Sequence, residues 1–104
     1  MLKEGLSESY GIIGLGRFGT ALARKLAEAG REVIVVDRSE YKVKELRRYT
    51  DFAYVADELT KEVLEEIGIQ NCDTVVVCIG EKIDTSILVT LNVVNLGVRR
   101  VIAK

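Results

Sequence analysis

Residues 10–19 read Tyr-Gly-Ile-Ile-Gly-Leu-Gly-Arg-Phe-Gly, and they join a short apolar run to a helical pattern through the spacing Gly-x-Gly-x-x-Gly. A second apolar run, from Val33 to Val36, ends in an acid, Asp37. Glycines let a phosphate approach backbone N–H groups without an intervening Cβ, and a helix start presents unpaired N–H groups and a partial positive charge. A strand before the motif, a helix after it and an acid at this distance together predict a nucleotide-binding site.

The composition is that of one ordinary α/β domain. The chain has 104 residues, of which 48% are apolar and 30% charged, and it contains no His, Pro or Trp. A domain of this size has no room for a separate catalytic domain, and the lack of His removes the commonest general base. Fifteen basic and sixteen acidic side chains give a net charge of −1, so we do not expect nucleic acid as a partner.

The sequence also bears on location and redox chemistry. No apolar run is long enough to span a membrane, and residues 1–9, which we interpret as an N-terminal extension, lack the apolar block of a signal peptide. We therefore expect a cytoplasmic protein. Cys72 and Cys78 lack the spacing of a zinc site or a disulfide framework, and we interpret Cys78 as strand packing and Cys72 as a loop thiol. The sequence ends at Lys104, directly after the last predicted strand, so we expect either a minimal domain or a piece of something longer.

Apolar runs of strand length alternate with stretches of helical spacing, which predicts parallel βαβ units. Right-handed crossovers place the strands in a doubly wound, Rossmann-like sheet ordered 3-2-1-4-5, as a single domain over residues 10–104. The second and fourth runs are continuously apolar, which predicts central strands covered by helices on both faces. The predicted strands are Tyr10 to Ile13, Glu32 to Asp37, Phe52 to Ala56, Thr74 to Ile79 and Arg100 to Ala103.

Three of the four predicted helices carry a single apolar stripe. Ser39 is suited to cap the second helix, and either Thr60 or Asp57 to cap the third. The first helix starts within the glycine loop. Its apolar stripe consists of Phe18, Leu22 and Leu26, and Gly30 is placed to end the helix.

The fourth predicted helix runs from Asp84 to Leu96. From Ile87 onward it is apolar nearly all round and is interrupted only by Thr90, Asn92 and Asn95. A helix of this kind is buried on more than one side. Because a chain this small offers no second layer to cover the outer side, the pattern predicts self-association through residues 84–96, as a dimer or a higher ring. The alternative is a surface helix with scattered exposed apolar residues.

In the predicted sheet the strand order reverses between the first and fourth strands, and a ligand crevice opens there at the carboxyl ends of the strands. This edge brings the glycine loop together with the ends of the second, third and fourth strands. The candidate binding residues are Gly14, Leu15, Gly16, Arg17, Phe18, Gly19, Asp37, Arg38, Asp57, Glu58, Cys78 and Gly80.

Three of these residues have the most definite chemistry. A carboxylate at Asp37 is placed to accept hydrogen bonds from a ribose 2′-hydroxyl and would repel a 2′-phosphate, which disfavours NADP. The Arg17 guanidinium is able to extend along a phosphate chain and neutralise its charge. We interpret Phe18 as a core anchor of the first helix, with ligand contact limited to its backbone N–H.

The other polar candidates each have two interpretations. Arg38 either stacks on the adenine or is solvated. Asp57 either accepts a hydrogen bond from the adenine amino group or caps the third helix, and Glu58 has the same two uses. Lys82 and Ser86 are interpreted as a loop charge and a first-turn helix residue. The sequence shows no nucleophile with a base, no paired carboxylates and no metal-ligand spacing near the crevice.

Four segments together resemble the KTN domain, also called the RCK N-terminal or TrkA-N domain, of potassium-transport regulators. The resemblance covers Tyr10 to Lys104. Many Rossmann proteins share the glycine loop, whereas the segments of the third and fourth helices are more particular to this family. The segments are residues 11–19 (Gly-Ile-Ile-Gly-Leu-Gly-Arg-Phe-Gly), 33–37 (Val-Ile-Val-Val-Asp), 62–69 (Glu-Val-Leu-Glu-Glu-Ile-Gly-Ile) and 77–88 (Val-Cys-Ile-Gly-Glu-Lys-Ile-Asp-Thr-Ser-Ile-Leu).

The resemblance implies a cytoplasmic regulatory subunit, not an enzyme, that binds ATP, ADP, AMP or NAD(H) and assembles into dimers and rings beneath a membrane potassium channel or transporter. Two departures from the family pattern are Glu58-Leu59, where Ala-Thr is frequent, and Cys78, where Ala is commoner. By this resemblance Gly14, Gly16 and Gly19 hold phosphates, Asp37 the ribose, Asp57 the adenine side, and Arg17 the terminal phosphate, within one subunit or across a subunit boundary.

Three functional hypotheses follow. The leading one is a regulatory nucleotide sensor, in which a ligand shifts the balance between two arrangements of an assembly. The rival is a coenzyme-binding fragment of an NAD-dependent oxidoreductase, which needs a catalytic His or Lys that the sequence does not show. The third is a scaffold without a ligand, which the sequence disfavours because the glycines and Asp37 have no evident packing reason to occur together.

Overall fold

The computed structural model describes residues 8–80 and 82–104, and strands alternate with helices along them. Of the predicted extension, residues 1–9, all but Glu8 and Ser9 lie outside the described residues. The elements in chain order are β1 Ser9–Ile13, α1 Arg17–Glu28, β2 Glu32–Asp37, α2 Glu40–Leu46, β3 Phe52–Val55, α3 Lys61–Ile67, a short 3₁₀ helix Ile69–Asn71, β4 Thr74–Val77, α4 Ile83–Asn95 and β5 Arg100–Ala103.

The sheet confirms the predicted fold class. All its neighbouring strands are parallel, and their order is β3-β2-β1-β4-β5. The central strand β1 pairs on both sides, so Ile12 lies opposite Val35 of β2 and Val76 of β4. β2 and β5 have the predicted bounds, whereas β4 ends at Val77 instead of Ile79, two residues earlier.

An apolar layer covers each face of the sheet, which explains the continuously apolar strands. Successive side chains of a strand point to opposite faces, so Ile12 and Ile13 are both fully buried but belong to different layers. The layer around Ile12 includes Ala23 of α1 and Val43 of α2. The layer around Ile13 is closed by side chains of the other two helices, which are Leu64 of α3 and Val89 and Val93 of α4.

Side-chain caps fix where two helices begin. The hydroxyl of Ser39 accepts a hydrogen bond from the N–H of Lys42 at 3.2 Å, as predicted for α2. The hydroxyl of Thr60 accepts one from the N–H of Val63 at the same distance, so Thr60 and not Asp57 caps α3. Asp57 is therefore left exposed in the loop that follows β3.

The prediction that Phe18 anchors α1 in the core is wrong, because its side chain is 46% exposed. The fully buried residues of α1 are instead the small ones, Gly19 and Ala23, while Leu22 and Leu26 pack at the margin of the core. A Cβ at Gly19 would collide with the carbonyl oxygen of Gly14. The first turn of α1 thus lies against the backbone of the glycine loop, which leaves no room for a large side chain on that side.

The prediction for the two cysteines is also partly wrong. Cys72 lies in a loop, but its side chain is buried in the core, and burial raises the pKa of its thiol to about 12. Cys78 does not lie within a strand, because it follows the last residue of β4, and its side chain is half-buried.

Helix α4 has one buried and one open side. Val89 and Val93 pack against the sheet, and the amide of Asn92 donates a hydrogen bond to the carbonyl of Leu59 at 3.0 Å. The opposite side exposes large apolar side chains, namely Ile83, Ile87, Leu88, Leu91 and Val94. In the described part of the chain, no helix is long and apolar enough to cross a membrane.

Candidate functional site

Asp37 joins the ends of β1 and β2. One carboxylate oxygen accepts a hydrogen bond from the N–H of Leu15 in the glycine loop at 2.7 Å, and the other accepts one from the N–H of Ser39 at 2.8 Å. A carboxylate offers about four lone-pair sites, so about two remain for other donors such as ribose hydroxyls. The sequence predicted the ribose role but not this bracing of the loop.

Two of the three motif glycines are required by the protein itself. Gly14 has φ of +103°, and a Cβ there would lie 2.6 Å from the carbonyl oxygen of Cys78. A Cβ at Gly19 would collide with the carbonyl of Gly14, as described above. The expectation that the glycines have no packing reason to occur together is therefore wrong for these two, and their presence alone does not indicate a ligand.

Gly16 differs from both. Its backbone is in an ordinary extended conformation, with φ of −74°, and a Cβ there would have no heavy atom within 4 Å. Gly16 is the N-cap of α1, and the first-turn N–H groups of this helix donate no hydrogen bond to a capping side chain. A Cβ at Gly80, beyond β4, would also meet nothing within 4 Å. The crevice is thus open at Gly16, although packing within the protein does not require a glycine there.

A basic hollow of about 430 Å³ extends from the glycine loop between α1 and α2. It begins at Leu15 and Gly16 and runs along Arg17, Thr20 and Arg24 to Lys42. Three cationic side chains and no acidic one line it, so it favours an anion. A second hollow, of about 240 Å³, lies at the opposite ends of the strands near Ser9, Glu32 and Cys72, away from the glycine loop.

On its other side α1 faces the end of β5. The ammonium of Lys104 lies 4.9 Å from the centroid of the Phe18 ring, and the backbone N–H of Lys104 donates to the carbonyl of Val77 at 2.9 Å. The sequence analysis did not place Lys104 at this edge of the sheet. The available signal was its position directly after β5, since β5 neighbours β4 in the predicted order and therefore ends at the same edge.

The remaining predicted site residues lie at or beside this edge. The N–H of Ala56 donates to the carbonyl of Asp37 at 3.1 Å, which holds the end of β3 beside that of β2. Arg38, Asp57 and Glu58 are exposed next to these strand ends. The backbone N–H of Cys78 donates to the carbonyl of Ile13 at 2.7 Å, and burial raises the pKa of its thiol. Over residues 8–80 and 82–104, no group of His, Cys, Asp or Glu side chains is arranged to hold a metal ion.

The two kinds of glycine predict different costs for the same substitution. We expect Gly19→Ala to lower the free energy of unfolding by about 2–3 kcal/mol, because the added methyl group collides with backbone atoms that cannot move aside. Gly16→Ala should cost at most about 1 kcal/mol, since Ala is only a poorer N-cap than Gly. Urea unfolding followed by circular dichroism measures both variants, and equal losses would contradict the geometry described for this loop.

The sequence is similar over nearly its whole length to proteins of potassium uptake systems. The chain is 39% identical over 99 residues to the Ktr system potassium uptake protein C of Bacillus subtilis, with 95% of this chain and 45% of that protein covered. It is 36% identical over 103 residues to the Ktr system potassium uptake protein A of Vibrio alginolyticus, with 99% and 46% covered. The chain therefore spans slightly less than half the length of these relatives.

Solved structures share the fold. The NAD(P)-binding domain of an exopolyphosphatase-related protein from Archaeoglobus fulgidus superposes with a TM-score of 0.74 at 22% identity, over 90% of this chain and 70% of that one. The TrkA-N domain of the inner membrane protein ybaL of Escherichia coli gives 0.64 at 15% identity, over 95% and 89%. At these identities the likeness supports the fold alone. Since the family model of the TrkA-N domain matches residues 10–104, the resemblance found in the sequence is confirmed and the chain belongs to the TrkA-N domain family.

Proposed function

We propose that this chain is the nucleotide-binding regulatory domain of a potassium uptake system and that it binds an adenine nucleotide, ATP, ADP, AMP or NAD(H), at the glycine loop. The observation that carries the proposal is the open space at Gly16. Gly14 and Gly19 are explained by packing, whereas the glycine at position 16 leaves room that no protein atom fills. Space for a phosphate beside the uncapped N–H groups of α1 would explain why this position is a glycine.

The contacts around the loop support one orientation of the nucleotide. Its diphosphate would lie over Gly16, against the first-turn N–H groups of α1. The ribose would use the lone pairs of Asp37 that Leu15 and Ser39 leave free. The adenine would then lie at the ends of β2 and β3, beside Arg38 and Asp57. Because the Asp37 carboxylate repels a 2′-phosphate, the arrangement favours these nucleotides over NADP.

The relatives support the connection to transport. Proteins whose names state a role in potassium uptake share 35–39% identity with this chain over most of its length. We propose that the chain lies in the cytoplasm and is peripheral to the membrane, where it contacts a potassium channel or transporter. A nucleotide that binds two arrangements of the assembly with unequal affinity would shift their balance, and the membrane partner would respond to that shift.

The chemistry of the crevice supports a binding role over catalysis. The chain contains no His, and burial raises the pKa of the Cys78 thiol, which keeps this nearest sulfur in its weakly nucleophilic form. Within the described residues, no nucleophile is hydrogen-bonded to a general base at this edge of the sheet. The oxidoreductase alternative rests on a shared fold, and a fold does not specify a reaction.

We further propose that α4 mediates self-association. Five large apolar side chains of this helix are exposed, and Ile83, Leu88 and Leu91 are 78%, 60% and 52% exposed. Contiguous apolar surface of this kind is typical of protein interfaces. A second copy of the same helix offers a matching apolar face, and a two-fold contact would bury both faces at once.

The nucleotide site predicts a specific loss in Gly16→Ala. ADP at about one hundred times its dissociation constant should raise the free energy of unfolding of the wild type by about 2.7 kcal/mol. The same ADP concentration should not stabilise Gly16→Ala, because its methyl group fills the space of the phosphate, while the unfolding curve without ADP stays close to that of the wild type. A wild type that none of the four nucleotides stabilises would refute the proposal.

The α4 surface predicts an effect on oligomeric state. We expect the wild type to be a dimer or larger at micromolar concentration and Leu91→Glu to be a monomer, because a charge on this face resists burial. Light scattering coupled to size exclusion measures both. Tyr41→Glu is the matched control, since it places the same charge at an exposed position of α2 and should leave the assembly intact. A monomeric wild type contradicts the role given to α4.

A further inference from the structure

Two consecutive residues at the start of α1 lie on different sides of the helix. Arg17 lines the basic hollow together with Thr20 and Arg24, which follow it at helical spacing on the side of α2. Phe18 lies about 100° around the helix axis, and its ring is next to Lys104 at the end of β5. Arg17, beside α2, and Lys104, beside β5, therefore lie on different sides of the glycine loop.

The direction of a bound nucleotide decides which cation it reaches. In a doubly wound sheet a dinucleotide crosses the crevice at the point where the strand order reverses, here between β1 and β4. If the adenosine is held at Asp37 and the diphosphate lies over Gly16, as in the proposed function on which this step rests, any group beyond the diphosphate extends toward β4. At that side lie Cys78, Gly80 and Lys104.

The backbone of Lys104 is held in place, and its ammonium is available to bind a ligand. Its backbone is tied to Val77 by a hydrogen bond of 2.9 Å, one residue before Cys78. Its ammonium forms no ion pair with an Asp or Glu carboxylate of the described residues and lies over the face of the Phe18 ring. A cation–π contact at an exposed site is weak, whereas an ammonium bound to a phosphate makes charge-assisted hydrogen bonds. Burial raises the pKa of the Cys78 thiol, and the charge of Lys104 opposes this rise, which places that charge close to the crevice.

We infer that Lys104 binds the terminal phosphate of ATP within the same subunit and so determines the preference for ATP over ADP. The ring of Phe18 holds the ammonium beside the glycine loop until a phosphate replaces it. Arg17, on the side of α2, faces the ribose side of its own nucleotide and is free to contact a neighbouring subunit.

Calorimetric titration of the whole chain with AMP, ADP and ATP tests this inference. The titrations are done in EDTA, so that the phosphate charge is not masked by magnesium, and include wild type, Lys104→Gln, Lys104→Arg and Lys25→Gln. We expect Lys104→Gln to bind ATP about tenfold more weakly and to bind ADP and AMP within about twofold of the wild type. Lys104→Arg should restore most of the ATP affinity. Lys25→Gln removes the same charge from the last turn of α1, far from the loop, and should have no effect.

Each result has a distinct meaning. If the wild type binds none of the three nucleotides, the proposed function fails and the inference fails with it. If the wild type binds them and Lys104→Gln keeps the full ATP preference, only the role of Lys104 is wrong. Equal weakening of all three nucleotides in Lys104→Gln, with an unchanged unfolding curve, also overturns a role restricted to the terminal phosphate. If Lys104→Gln does not fold, Lys104→Met, which also removes the charge at this exposed position, is titrated in its place, and a full ATP preference in that folded variant overturns the role of Lys104.

Discussion

The Asp37 carboxylate holds the proposed nucleotide-binding edge of this domain in place. Its two hydrogen bonds, to Leu15 and to Ser39, fix the glycine loop against the end of β2 and the start of α2. On the other side the loop is fixed by contact, because Gly14 lies against the carbonyl of Cys78 and leaves no space for a side chain. The loop is therefore held from both neighbouring strands before any ligand arrives. A site arranged in advance loses less conformational entropy on binding.

Much of the fold followed from periodicity and strand composition. The strand order was predictable because continuous apolar runs require helices on both faces and crossovers are right-handed. Phe18 was misplaced because its spacing from Leu22 and Leu26 fits a stripe, and spacing does not reveal that the helix touches backbone at Gly19. The capping residue of α3 could be narrowed to Thr60 or Asp57 but not chosen, because both side chains carry a suitable oxygen.

The candidate site could be predicted only in part. The motif located the crevice and named Asp37, since the acid after β2 follows from the strand pattern. The motif does not distinguish between its three glycines, however. In the structure, packing requires Gly14 and Gly19 to be glycines, but it does not require this of Gly16. Lys104 was missed because its place depends on two strand ends that are far apart in sequence and adjacent in the sheet. Contacts of this kind depend on the tertiary fold, and the sequence indicates them only through the predicted strand order.

The central claim is that first-turn amides of α1 bind the diphosphate of an adenine nucleotide over Gly16. Titration of ¹⁵N-labelled protein with ADP, followed by amide chemical shifts, tests this claim most directly. We expect the largest shifts on residues 15–20 and on Asp37, with small shifts at Ser9 and Cys72 in the hollow at the opposite ends of the strands. Large shifts at that opposite hollow, or none anywhere at saturating ADP, would contradict it.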